Sequence, residues 1–122
     1  MTRTIPIDPV LEDNYNNMAR RPDAPELLRQ WSESRERYRN NADVILDCAY
    51  GRGDRERIDV FRCGEKDAPL LVYIHGGYWQ RGDKSIYSFV AAAFNNAAAD
   101  AAIIGYPLCP GVTLSELVDS LL

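Results

Sequence analysis

Apolar and polar positions alternate, cluster and recur along this chain in ways that mark its elements before any chemistry is considered. Leu70-Leu71-Val72-Tyr73-Ile74 is a run of five apolar or aromatic residues that ends abruptly at His75-Gly76-Gly77. Such a run predicts a strand buried on both faces, as in a parallel sheet covered by helices. Upstream, Val44, Leu46, Cys48 and Tyr50 alternate with Ile45, Asp47 and Ala49, the period of a half-buried strand. Gly51-Arg52-Gly53-Asp54 reads as a turn, and Arg55 to Arg62 resumes the alternation with Ile58 and Val60 on one face. Together they predict an antiparallel hairpin. Downstream, Ile86, Phe89, Val90, Ala93, Phe94 and Ala97 recur at helical spacing, predicting a helix from about Gly82–Ser85 with one buried stripe. Asp83 or Ser85 suits its cap. Ala101 to Ile104 reads as a fourth strand.

The flanks follow the same logic. Leu27, Leu28, Trp31 and Tyr38 share a face of a helix predicted over Pro25 to Arg39, with proline at a favourable first position. Before it lies an irregular arm with one short helix around Val10 to Ala19. Near the far end, Thr113-Leu114-Ser115-Glu116 spells a capping box, with Val112 and Leu117 spaced as a hydrophobic staple. A helix from about Leu114 is expected. A hairpin followed by strand, helix, strand and helix is the order of an α/β protein in which a hairpin leads into a mostly parallel sheet.

Composition narrows the class of function. The 122 residues suffice for one small domain, and 46% apolar with 26% charged residues is ordinary for a globular chain. A net charge of −4, with arginines interleaved among acids, argues against nucleic acid as a partner. The first nine residues lack the apolar core of a signal peptide, and no run is long enough to span a bilayer. Three widely spaced cysteines, Cys48, Cys63 and Cys109, fit free thiols in a reducing cytoplasm. With a single histidine and no paired cysteine spacing, neither a metal site nor a cofactor is expected. Arg52-Gly53-Asp54 reads as the charged tip of the hairpin and not as an adhesion signal.

The glycine doublet is where chemistry is expected. At the carboxyl end of a buried strand, where ligands of α/β enzymes sit, it turns the backbone sharply. Main-chain N–H groups freed by that turn can be aimed at a developing negative charge. The sequence His75-Gly76-Gly77-Tyr78-Trp79 resembles the HGGxW motif of the kynurenine formamidase (arylformamidase) branch of the α/β-hydrolase fold. Tyr15-Asn16-Asn17, Ala49-Tyr50-Gly51, Asp59-Val60-Phe61 and the turn Gly105 to Pro110 match the same branch. The resemblance implies an oxyanion hole made by the N–H groups of Gly77 and Tyr78, with His75 and Gly76 as loop scaffold and Trp79 as pocket wall. It implies acyl transfer on a small-molecule amide or ester in the full-length form. It also implies that replacing Gly77 would obstruct the approaching carbonyl.

The resemblance covers only the amino-terminal portion of that fold. Residues 1–122 then form a single incomplete α/β-hydrolase domain. Its parts are a helical arm over 1–42 and, over 43–122, four strands, the first crossover helix and the start of the next. None of Ser32, Ser34, Ser85, Ser88, Ser115 or Ser120 has a glycine two residues away on each side, so no nucleophile elbow is present. Cys109 has no basic neighbour in sequence to activate it. No catalytic triad residue is therefore assigned within the chain, which alone is expected to be inactive. Pro107 and the Ala97-Ala98-Ala99-Asp100 segment depart from the family pattern. In the family's strand order the third strand of such a piece lies at the sheet edge, where self-association is expected. A different role, as a non-catalytic binding module using that edge, is the alternative.

Overall fold

The computed structural model describes residues 6–122 and divides into two compact units, 1–30 and 31–122. The expectation of no leader peptide rests partly on residues 1–5, which lie outside the described residues. In the first unit, α1 (Pro9–Tyr15) is capped by Asp8, whose carboxylate accepts from the N–H of Val10 at 2.8 Å and of Leu11 at 3.2 Å. Helix α2 follows over Asn17–Arg20. The single helix expected over Val10 to Ala19 is thus two. Asn16 leaves helical geometry (φ −82°, ψ 79°), and its side chain caps α2 through the Ala19 N–H at 3.2 Å. An asparagine that can bond its local backbone competes with the helix ladder, and here the cap wins. Helix α3 spans Ala24–Asn41.

The second unit is built on four strands: β1 (Asp43–Ala49), β2 (Arg57–Arg62), β3 (Leu70–Ile74) and β4 (Asp100–Ile104). Their order in the sheet is β1-β2-β4-β3. The β1–β2 and β2–β4 pairs are antiparallel, and β3 and β4 are parallel with Leu70 opposite Asp100 and Ile74 opposite Ile104. The hairpin register shifts between Ile45 and Cys48, where Asp47 takes a positive φ of 58°. Between β3 and β4 the chain forms a 3-10 helix over Lys84–Val90, continued by α4 (Ala91–Asn96). Helix α5 (Leu114–Ser120) carries both halves of the expected capping box, Thr113 and Glu116, and buries Leu117. The core gathers Phe61, Ala91, Ala101 and Ile103, with Tyr38, Val44, Tyr73, Tyr87 and Phe94 packed around them. Tyr38 stacks on Phe61 at 5.5 Å between ring centroids, and its hydroxyl donates to the Asn95 side chain.

Two burial expectations are corrected. The stripe expected to be buried between β3 and β4 included Ala93 and Ala97, and both are exposed; the buried positions are Lys84, Ser88 and Ala91. Asp83, the N-cap, accepts from Ser85 N–H at 2.9 Å and starts a tighter 3-10 winding, which rotates the later side chains away from an ideal helical stripe. Small residues then face the sheet, and Lys84 is drawn inward by carboxylates described below. The second correction concerns β3, whose Leu70, Leu71, Val72 and Ile74 are 57%, 42%, 54% and 53% exposed. Its composition is that of a strand covered on both faces, yet β4 is its only partner among the described residues.

Candidate functional site

The site is built where β3 stops. His75 is 3% exposed and lies between two tyrosines, its ring centroid 4.4 Å from that of Tyr106 and 5.5 Å from that of Tyr87. The Tyr106 hydroxyl donates to the His75 carbonyl oxygen at 2.6 Å, and burial raises its pKa above the ordinary tyrosine value. His75 Nδ1 lies 2.8 Å from the Gly76 carbonyl oxygen. A carbonyl oxygen only accepts, so this contact is made by an N–H on Nδ1. Nε2 is buried without a hydrogen-bond partner.

From this anchor the main chain makes a tight left-handed turn. Gly77, Tyr78 and Trp79 have φ of 133°, 55° and 57°. For tyrosine and tryptophan that conformation costs about 1–3 kcal/mol each, so it persists only where surrounding contacts enforce it. The Gly77 carbonyl oxygen accepts from Gln80 and Arg81 N–H, both at 3.1 Å, and the Trp79 carbonyl oxygen accepts from Cys109 N–H at 2.8 Å. The N–H groups of Gly77 and Tyr78 find no acceptor among the described residues.

The two glycines differ in what they require. A Cβ on Gly77 would fall on the Arg81 carbonyl oxygen and lie 2.8 Å from its carbon, in a backbone conformation that side chains rarely adopt. A Gly77 replacement therefore already collides with the loop itself. A Cβ on Gly76 would meet nothing within 4 Å. Gly76, Gly77, Tyr78, Trp79, Arg81, His75 and Tyr106 line one cavity of about 410 Å³. The structure thus brings all five motif residues together and adds two, Tyr106 and Arg81, that sequence pattern did not single out as site residues.

Charged groups hold the surrounding loops. Arg55, just before β2, donates to the carbonyl oxygens of Tyr106 at 2.9 Å and Gly82 at 2.6 Å, and its guanidinium is 3.6 Å from the Asp83 carboxylate. Lys84 Nζ lies 2.6 Å from an oxygen of Asp47 and 2.6 Å from one of Asp59, a fully buried carboxylate. Burial pushes the Lys84 pKa down, but the two carboxylates outweigh it and the net shift is upward. The hydrogen bond from Lys84 holds the Asp47 pKa below its ordinary value. The second Asp59 oxygen has no hydrogen bond, and the Arg39 guanidinium stands 3.9 Å away. Asp59 also accepts from the Asp47 N–H at 2.9 Å, which fixes the positive-φ kink of β1. Cys48, Cys63 and Cys109 are free thiols, half-buried. Among the described residues no cluster of histidine, cysteine or carboxylate has the placement of a metal site, and no helix is long and apolar enough to cross a membrane.

No family model matches the chain. Kynurenine formamidase of Salmo salar is 33% identical to it over 88 residues, 70% of this chain and 30% of the relative. The kynurenine formamidase of Drosophila melanogaster is 39% identical over 71 residues, 57% of this chain and 23% of the relative. Among solved structures, a candidate thioesterase from Silicibacter superposes with a TM-score of 0.82 at 34% identity, over 91% of this chain and 43% of that one. An esterase of Pyrobaculum calidifontis shares the fold at a TM-score of 0.58 and 24% identity, over 94% of this chain and 40% of that one. These likenesses define the class: the chain has the α/β-hydrolase fold. Within it, the chain is homologous to part of the kynurenine formamidases, spanning less than a third of the length of the curated relatives it matches.

Proposed function

We propose that this chain carries the oxyanion-binding part of a serine-dependent hydrolase acting on aryl formamides or carboxylic esters. The observation that carries the reading is the pair of unengaged N–H groups on Gly77 and Tyr78, in a turn held open at the wall of a cavity. In this reading a serine outside these 122 residues attacks the acyl carbon, and the two amides stabilise the oxyanion that forms. One such donor contributes about 2.7–4 kcal/mol to the transition state. Trp79 and Tyr78 wall the pocket, and His75 serves as scaffold. Nδ1 engaged on the Gly76 carbonyl and Nε2 buried support that scaffold role over one as a catalytic base.

The chain alone supplies donors without a nucleophile, so it binds acyl compounds and does not turn them over. Titration with formanilide, followed by amide chemical shifts, is expected to move Gly77 and Tyr78 first. N-formylkynurenine and p-nitrophenyl acetate are expected to survive incubation at the uncatalysed rate. Steady release of p-nitrophenol, abolished by a substitution within the chain, would overturn the division of labour. A second role rests on the exposure of β3: the strand can add to another sheet and bring about self-association.

A further inference from the structure

We infer that Arg55 is a positioning residue of the glycine turn, fixing the direction of the Gly77 N–H although it does not itself line the cavity. The inference rests on the oxyanion reading above and says what keeps that donor aimed. The turn runs from His75 to Gly82, and its two ends touch. A Cβ on Gly82 would lie 2.8 Å from His75 Nδ1 and 3.0 Å from the Gly76 carbonyl oxygen. That carbonyl belongs to the peptide that carries the Gly77 N–H, and the peptide is trans. A trans peptide points its C=O and N–H in opposite directions, so what presses on the Gly76 oxygen sets the direction of the donor. The Tyr78 N–H is aimed differently: the carbonyl of its peptide, on Gly77, accepts from Gln80 and Arg81 N–H inside the turn.

Arg55 holds both ends of this turn. Its Nη2 donates to the Gly82 carbonyl oxygen at 2.6 Å, which fixes the closing end. Its Nε donates to the Tyr106 carbonyl oxygen at 2.9 Å, and the Tyr106 hydroxyl donates to the His75 carbonyl oxygen at 2.6 Å, which fixes the opening end. One guanidinium thereby sets the spacing between Gly82 and the His75–Gly76 step. Arginine suits the task because its planar fork presents N–H groups in fixed directions, where a lysine ammonium is a single point of charge. The Asp83 carboxylate stands 3.6 Å from the guanidinium, beyond hydrogen-bond distance, so the carbonyl contacts and not the ion pair carry the clamp.

Arg55→Lys, Arg55→Ala and Asp83→Asn in the 122-residue chain test this, each followed by amide shifts with and without formanilide and by urea unfolding. Arg55→Lys keeps a charge beside Asp83 but loses the fork. It should move the Gly77 amide more than the Tyr78 amide without ligand, and weaken formanilide binding about tenfold, the size of one charge-assisted hydrogen bond. Asp83→Asn keeps a cap for the 3-10 helix and should bind formanilide as the native chain does. Millimolar guanidinium should return most of the lost affinity to Arg55→Ala, and the same concentration of ammonium should not. Native affinity and an unmoved Gly77 amide in Arg55→Lys overturn the role of Arg55. So does an equal loss in Asp83→Asn, which would place the effect in the ion pair. So does a folded Arg55→Ala that guanidinium fails to restore, or that ammonium restores as well; if Arg55→Ala does not fold, Arg55→Lys decides. In each case a native chain that responds at Gly77 and Tyr78 leaves the oxyanion reading standing. If formanilide does not move those amides in the native chain, both readings fall.

Discussion

At the residue scale, two adjacent glycines do different work. Gly77 is required by its own loop, since φ of 133° and the Arg81 carbonyl leave no room for a side chain. Gly76 has open space around it and no such φ, so the loop itself does not require its lack of a side chain. Gly77→Ala is expected to lower unfolding free energy in urea by about 2 kcal/mol or more. Gly76→Ala is expected to stay within about 0.5 kcal/mol of the native chain while removing the formanilide-dependent shifts at Gly77 and Tyr78. The doublet stands out in sequence because glycines after an apolar run are conspicuous. Which of the two glycines the backbone requires depends on atoms of Arg81, four residues beyond Gly77, and only the folded loop shows it.

The same scale holds the ion cluster of Lys84, Asp59 and Asp47. Removing one member strands a buried carboxylate, so Lys84→Met should cost about 3–5 kcal/mol in equilibrium unfolding, and Lys84→Met with Asp59→Leu should recover most of it. The pH dependence follows from the shifts. Asp47 titrates below its ordinary value, so its contribution is present above about pH 4 and is lost as pH falls through the lowered pKa. Lys84 titrates above its ordinary value, so its contribution is present up to about pH 10 and is lost as pH rises through the raised pKa. Thermal unfolding across pH should show both limbs in the native chain and shallower ones in Lys84→Met. Sequence pattern had Lys84 as the polar start of a helix. Its burial could not be read there, because the partners lie 25 and 37 positions away.

At the element scale, strands were more legible than helices. The hairpin, β3 and β4 stand where alternation and apolar runs placed them, to within a residue or two at most ends. The α5 cap was legible because its bonds are local: Thr113 and Glu116 are three apart and satisfy each other's backbone. The crossover segment was less so. Helical spacing of apolar residues described an ideal α-helix, whereas the 3-10 turn begun at Asp83 changed which side chains face the sheet. Arg55, expected inside the second strand, instead sits just before it and clamps two loops through Gly82 and Tyr106. Nothing in its neighbourhood along the chain marks it for that work.

At the scale of the whole molecule, β3 sets the behaviour to be expected in solution. Among the described residues it has one unpaired edge, and it shows four exposed apolar side chains; such an edge pairs with another strand when one is within reach. Sedimentation velocity should show a shift to larger species as concentration rises. Val72→Lys, placing a charge on that strand, should return the chain to a monomer without lowering its thermal stability. A native chain that sediments as a monomer at every concentration would remove the edge as an association site.

Periodicity, turn residues and local caps are short-range properties, and so the amino-acid order by itself determined the elements, their sequence along the chain and the place of the glycine turn. Which cations are spent on structure, which glycine guards the backbone, and how far β3 is covered were decided only by tertiary structure. Each depends on groups brought together from distant positions, where the energy of a contact is set by burial and partner and not by neighbours in the chain.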